Sequence, residues 1–126
     1  MNDFSSALSS ASSGLKAQSA RLRHVSENIA NADTPGYHRK IVSFDLSRDT
    51  GQVTIGRLSL DQSQLREIYD PSHPLADAKG NYDSSNVDLI IEIADAREAQ
   101  RSYEANLKML DQTRQMSSSL IELLRR

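Results

Sequence analysis

Pro35 and Gly36 stop an apolar row that runs without a break from Phe4, and that stop limits the fold more than any other feature of the chain. Phe4, Leu8, Ala11, Leu15, Gln18, Leu22, Val25, Ile29 and Ala32 follow one another at alternating steps of four and three. A mean step of about 3.5 residues keeps the row on one helix face and suits a coiled-coil seam. Gln18 is its polar member, and one polar residue in a seam can fix register at a cost in stability. Proline lacks an amide hydrogen and drives Thr34 away from helical geometry, so the helix is expected to end by Asp33. Pro35-Gly36 also suits the central pair of a type II turn, because glycine accepts the positive φ needed there.

A stripe of this length needs a partner surface, and its surroundings do not favour a free helix. Ser5, Ser6, Ser9, Ser10, Ser12, Ser13 and Gly14 are modest or poor helix formers. Residues 1–20 are therefore expected to gain order by packing. The partner lies at the other end of the chain. From Val87 onward the pattern is helical again, with Asp88 as N-cap, Glu92 and Asp95 near the start, and Arg125 and Arg126 near the end. The row reads Leu89, Ile93, Ala96, Gln100, Tyr103, Leu107 and Leu110, then shifts to Thr113, Met116, Leu120 and Leu123. Neither glycine nor proline interrupts it.

The middle reads differently. Val53, Ile55, Leu58 and Leu60 alternate, with a break near Gly56, and residues 38–45 and 65–69 are further short strand candidates. Asp70-Pro71-Ser72-His73-Pro74 and the stretch from Ala76 through Tyr82 read as extended and irregular. So small a β unit has little core of its own and should lean on the helices or on neighbours. The expected fold is mainly α: long antiparallel N- and C-terminal helices, coiled-coil-like, around a small β-rich, irregular insert. Its parts are residues 1–33, 34–86 and 87–126.

Composition narrows the function. The chain has 126 residues, a net charge of −2 and no cysteine, which excludes disulfides and thiol catalysis and gives no sign of a nucleic-acid surface. No apolar run is long enough to span a membrane. The N-terminus lacks a basic start followed by an apolar block, so any exit from the cytoplasm is expected to use a route that reads no cleavable signal. His24, His38 and His73 are far apart and lack ligand spacing, and Asp70, His73 and Asp77 are most simply turn residues. Arg21, Arg23, Arg39 and Lys40 read as a solvated face or as partners in ion pairs between copies. Glu92, Asp95, Glu98 and Glu104 read as the exposed side of a helix without a catalytic pocket. No enzyme activity, metal or cofactor is expected. Asn28 and Asn31 either bridge to a neighbour or satisfy the last carbonyls of their own helix.

Two motifs carry a family resemblance. Asn28-Ile29-Ala30-Asn31-Ala32-Asp33-Thr34-Pro35-Gly36-Tyr37 resembles the N-terminal signature of bacterial flagellar rod, hook and hook-associated proteins. Arg101-Ser102-Tyr103-Glu104-Ala105-Asn106-Leu107 is similar to their C-terminal helix motif. Tyr69-Asp70-Pro71-Ser72-His73-Pro74-Leu75-Ala76-Asp77 and Ser85-Asn86-Val87 resemble the middle of the proximal-rod type, whereas Gly80-Asn81-Tyr82-Asp83 departs from it by placing Asn81 before the aromatic. The resemblance implies a structural subunit of the periplasmic basal-body rod, exported through the flagellar type III apparatus and assembled helically through its terminal helices. Its implied partners are copies of itself, other rod subunits, ring components and, in transit, the export apparatus, with no nucleic acid and no membrane span. On that reading Phe4, Leu8, Leu15, Leu22, Val25, Ile29, Ile93, Tyr103, Leu107, Leu110, Met116, Leu120 and Leu123 form the assembly seam. A soluble coiled-coil adaptor or export chaperone is the competing reading.

Overall fold

The computed structural model describes residues 2–125, with the side chain of Asn2 left out; Arg126, expected near the end of the second helix, lies outside them. Helix α1 spans Asn2–Ala30 and helix α2 spans Leu89–Arg125. Between them lie β1 (Lys40–Leu46), β2 (Val53–Leu60), β3 (Glu67–Tyr69) and β4 (Asn81–Asp83). At ~1.5 Å per residue α2 is about 55 Å long. Asp88 caps it, its carboxylate accepting from the Ile90 amide at 3.0 Å.

The stop of α1 follows from the proline. The chain leaves the helix after Ala30 and turns through residues 34–37, where the Tyr37 amide donates to the Thr34 carbonyl at 3.2 Å. Gly36 has φ +74°, the left-handed value that the third position of a type II turn requires. Its amide also donates to the carbonyls of Asp83 and Ser84, so the turn is sewn to the stretch that leads into α2. A side chain at Gly36 meets no steric obstacle but must hold that backbone. Gly36→Ala is expected to cost about 1–2 kcal/mol, read as a lowered midpoint in a urea melt.

The β strands form two separate two-stranded sheets, not one small unit. In the first, antiparallel β1 and β2 pair Val42 with Leu58 and Phe44 with Ile55, so β2 carries one extra residue at a bulge around Gly56 and Arg57. That bulge is the break in alternation visible in the sequence. A Cβ at Gly56 would stand 2.5 Å from the Ser43 hydroxyl, which explains glycine there. The hairpin lies along α1. Ser13 accepts from the Val53 amide at 2.9 Å, and Ser10 donates to the Thr50 carbonyl at 3.2 Å. Two of the serines that weaken α1 as a free helix thus tie the hairpin to it. In the second sheet β3 pairs with β4 in antiparallel register, Ile68 opposite Tyr82. Strand β4 falls in the stretch expected to be irregular. Asp77 organises it: its carboxylate accepts from the amides of Lys79 and Asn81, and Gly80 follows at φ +86°. His73 stacks on Tyr82 with ring centroids 3.8 Å apart.

The two helices touch along their length. A Cβ at Gly14 would stand 2.9 Å from the Asn106 amide, Arg21 reaches Asp95 and Glu98, and Asn28 reaches Glu92. Residue numbers thus fall along α2 as they rise along α1. Equal rise in both helices carries this pairing to the start of α1 and leaves the last turns of α2, with Leu120, Leu123 and Leu124, beyond it.

Candidate assembly interface

The contact between the helices is made by small and polar side chains. On α1 the buried residues include Ala11, Gly14, Ala17, Ala20, Val25 and Asn28, with Ala32 buried just beyond its end. On α2 Glu92, Ala99 and Thr113 are buried and Asn106, in step with them, is half-buried; these positions are separated by sevens. This row runs through α2 without the shift after Leu110 that the apolar row needs. Ala96, Tyr103 and Leu110 flank it and are half-buried.

The larger apolar side chains are distributed differently. Of the expected seam, Val25 is buried, while Phe4, Leu8, Leu15, Leu22, Tyr103 and Leu110 are half-buried. Ile29, Ile93, Leu107, Met116, Leu120 and Leu123 are exposed, from 38% at Ile29 to 64% at Leu123. Ile90 and Leu124 are exposed still further. On α2 the contact is turned about one residue from the apolar row, Glu92 inward and Ile93 outward; on α1 it takes in Ala11 and Val25 of that row but places Asn28 inward and Ile29 outward. The single chain thus leaves much of the apolar surface of α2 uncovered.

A polar junction holds that arrangement. The Asn28 side chain donates to the Lys40 carbonyl at 3.1 Å and accepts from the Lys40 amide and the Tyr37 hydroxyl, each at 2.8 Å. It also donates to the Glu92 carboxylate at 3.3 Å. Glu92 is fully buried and takes a 2.6 Å charge-assisted bond from Arg39 Nε. Arg39 reaches Asp61 and Asp95 at 3.6 and 3.5 Å, and its amide donates to the Asn86 side chain at 2.7 Å. Asn86 in turn donates to the carbonyls of Asp61 and Ser63, while Ser85 donates to the Ala32 carbonyl. Helix α1, the start of β1, the segment that follows β2 and the start of α2 meet at this point.

Several charged and polar residues thus have roles that the sequence did not reveal. Glu92 is not on an exposed helix side; Arg39 delivers its countercharge from the segment just before β1, distant in sequence, which periodicity cannot see. Glu98 and Glu104 are exposed, whereas Asp95 is half-buried against Arg21 and Arg39. Arg21, Arg39 and Lys40 are engaged within the chain, Lys40 with Glu27 at 2.5 Å, and Arg23 is exposed. Asn28 takes neither expected role, joining the insert and α2, while Asn31 donates to its own helix at the Glu27 carbonyl, 2.8 Å away, and accepts from Thr34. Of the remaining motif residues, Pro35 and Tyr37 are half-buried and Thr34 and Gly36 exposed. Ser102 and Asn106 are half-buried, with Arg101, Glu104 and Ala105 outside. Asp70 accepts from the Ser72 amide and hydroxyl, the turn chemistry expected of it.

Ionisation at the junction follows the hydrogen bonds. The amide and hydroxyl of Ser63, and then Arg39, hold the Asp61 carboxyl below its ordinary value. A carboxylate depressed in the fold stabilises it fully above its unfolded value, about 4, and loses that contribution as pH falls through the lower folded value. Acid titration should therefore loosen the junction only below about pH 4, and Asp61→Asn should flatten that limb of the stability profile.

Residues 8–38 match the family described as flagella basal body rod protein. Residues 78–123 match the flagellar basal body rod FlgEFG protein C-terminal family. The flagellar basal-body rod protein FlgC of Agrobacterium fabrum is 46% identical, covering 99% of this chain and 98% of that protein. FlgC of Salmonella typhimurium is 37% identical over 90% of this chain and 92% of its own length. FlgC of Bacillus subtilis is 30% identical over 92% of this chain and 95% of its own length.

Proposed function

The chain belongs to the flagellar basal-body rod proteins and is a structural subunit of that rod, and from this premise we propose how it assembles. Its terminal segments, residues 1–33 and 87–126, are the axial parts, paired antiparallel in a coiled-coil-like manner. Residues 34–86 form the insert that braces them. The outward face of α2 packs against neighbouring subunits, copies of this chain and other rod proteins of the proximal section. Torque then passes through interdigitated side chains and needs no chemical step. The rod lies in the periplasm, so the chain passes through the flagellar type III export apparatus and meets ring components at the rod's base.

The observation that carries this reading is the exposure of Ile93 and Leu107 on the side of α2 turned away from α1, and of Met116, Leu120 and Leu123 toward its end, where the pairing with α1 runs out. Covering a Leu or Ile completely is worth about 1.5–3 kcal/mol, and since roughly half of each is already covered, each position still offers about 1 kcal/mol. Summed over several positions and many copies, that drives a polymer.

An epitope-tagged copy in a flagellated strain that lacks the endogenous chain tests the proposal. The tagged protein should restore swimming and remain with basal bodies after detergent extraction. Recovery only in the soluble fraction, as a discrete protease-resistant dimer, would favour the adaptor reading and sink this one.

A further inference from the structure

Each helix carries two adjacent faces that could serve as the contact. One holds Gly14, Arg21 and Asn28 on α1 and Glu92, Ala99 and Asn106 on α2; the other holds Leu15, Leu22 and Ile29 and, on α2, Ile93, Gln100 and Leu107. The two lie one residue apart, a rotation of about 100°. Apolar area alone favours turning the second face inward, since Leu and Ile bury far more surface than Gly and Ala. The folded chain does the opposite: Ala99 is completely buried and Ile93 is 47% exposed.

We propose that Glu92, gripped by Arg39 and Asn28, selects the inward face of α2 and so holds the larger apolar face outward. Glu92 and Asn28 are the two largest fully buried side chains among the described residues. Turning α2 by one residue carries the Glu92 carboxylate away from Arg39 Nε and the Asn28 amide, now at 2.6 and 3.3 Å. Turning α1 likewise strips both Lys40 backbone groups and the Tyr37 hydroxyl of their shared partner, Asn28. Buried polar groups left without partners are costly, so the polar contacts outweigh the apolar preference. Gln18, the polar residue that the sequence marks for a register role, has a buried side-chain oxygen that no group among the described residues meets; the selecting contacts lie at the other end of α1. That the outward face serves assembly rests on the proposed function; the choice of face does not.

The chain contains no cysteine, so single introduced thiols report the facing directly. Ile93→Cys should react with a soluble disulfide reagent about a hundredfold faster than Ala99→Cys, which is reached only through local opening. In the Glu92→Leu/Arg39→Met background the ratio should invert while helix content by circular dichroism is kept. An unchanged ratio in that folded background overturns the proposal. If the double variant loses its helices, Glu92→Gln decides, because it keeps the shape and removes the charge: a fall of about tenfold in the ratio with helix retained is expected, as the charge-assisted bonds weaken. An unchanged ratio there, or loss of helix in both backgrounds with the two thiols reacting alike, shows bonds that hold the fold without choosing a face, and overturns it. All measurements use the free chain, so their failure leaves the assembly reading standing.

Discussion

Leu107→Asp is expected to abolish swimming while the free chain keeps its fold. Leu107 is 40% exposed in the single chain, so the substitution removes a half-covered side chain and slightly lowers helix propensity, a loss of about 1 kcal/mol. In a rod the same position would bring a carboxylate into an apolar contact with no counterion. Desolvating it there costs several kcal/mol, repeated in every copy. Ile29→Asp, at 38% exposure on the other helix, is expected to behave alike. Export should continue in both variants, since the substituted chain is secreted before any packing forms. The checks are circular dichroism on the purified chains, assay of the chain outside the cytoplasm, and motility in soft agar. Normal swimming by Leu107→Asp would remove this face from the interface, and Lys108→Ala, at an exposed polar position outside the motif, is the control that should swim.

Arg39→Ala is expected to lower the stability of the free chain by about 3–5 kcal/mol, because it leaves the buried Glu92 carboxylate without its countercharge. The geometry supports a value in that range: Glu92 is fully buried, the bond is 2.6 Å, and the Arg39 side chain is 19% exposed. Lys at the same position should recover only part of the loss, since an ammonium cannot span Glu92, Asp61 and Asp95 at once. By contrast the Glu92→Leu/Arg39→Met pair, which buries no charge, should be neutral or more stable in the same urea melt. A small loss on Arg39→Ala, comparable to a surface substitution, would show that the junction is solvated in solution.

The helices and the turn were legible from local rules. Proline geometry places the end of α1, glycine's positive φ places the turn at residues 34–37, and the acidic cap at Asp88 opens α2. The bulge near Gly56 also showed itself, because it breaks a two-residue period. What stayed hidden depends on contacts between distant segments. Glu92 looks like any charged residue in the first turn of a helix until Arg39, 53 positions away, is seen beside it. Strand β4 is three residues long and is defined by its pairing with β3, so no periodicity could mark it. The inward face escaped for a related reason: hydrophobic patterning finds the face with the most apolar surface, and here small residues and a polar junction occupy the intrachain contact. A chain that assembles can carry two such faces, and a single sequence does not rank them.

A density map of intact basal bodies at side-chain resolution tests the account most directly. It should show α1 and α2 side by side, with Glu92 still bonded to Arg39 and with Ile93, Leu107 and Met116 covered by adjoining subunits. A map in which the two helices part, or in which those three side chains face open solvent while the subunits join elsewhere, would contradict it.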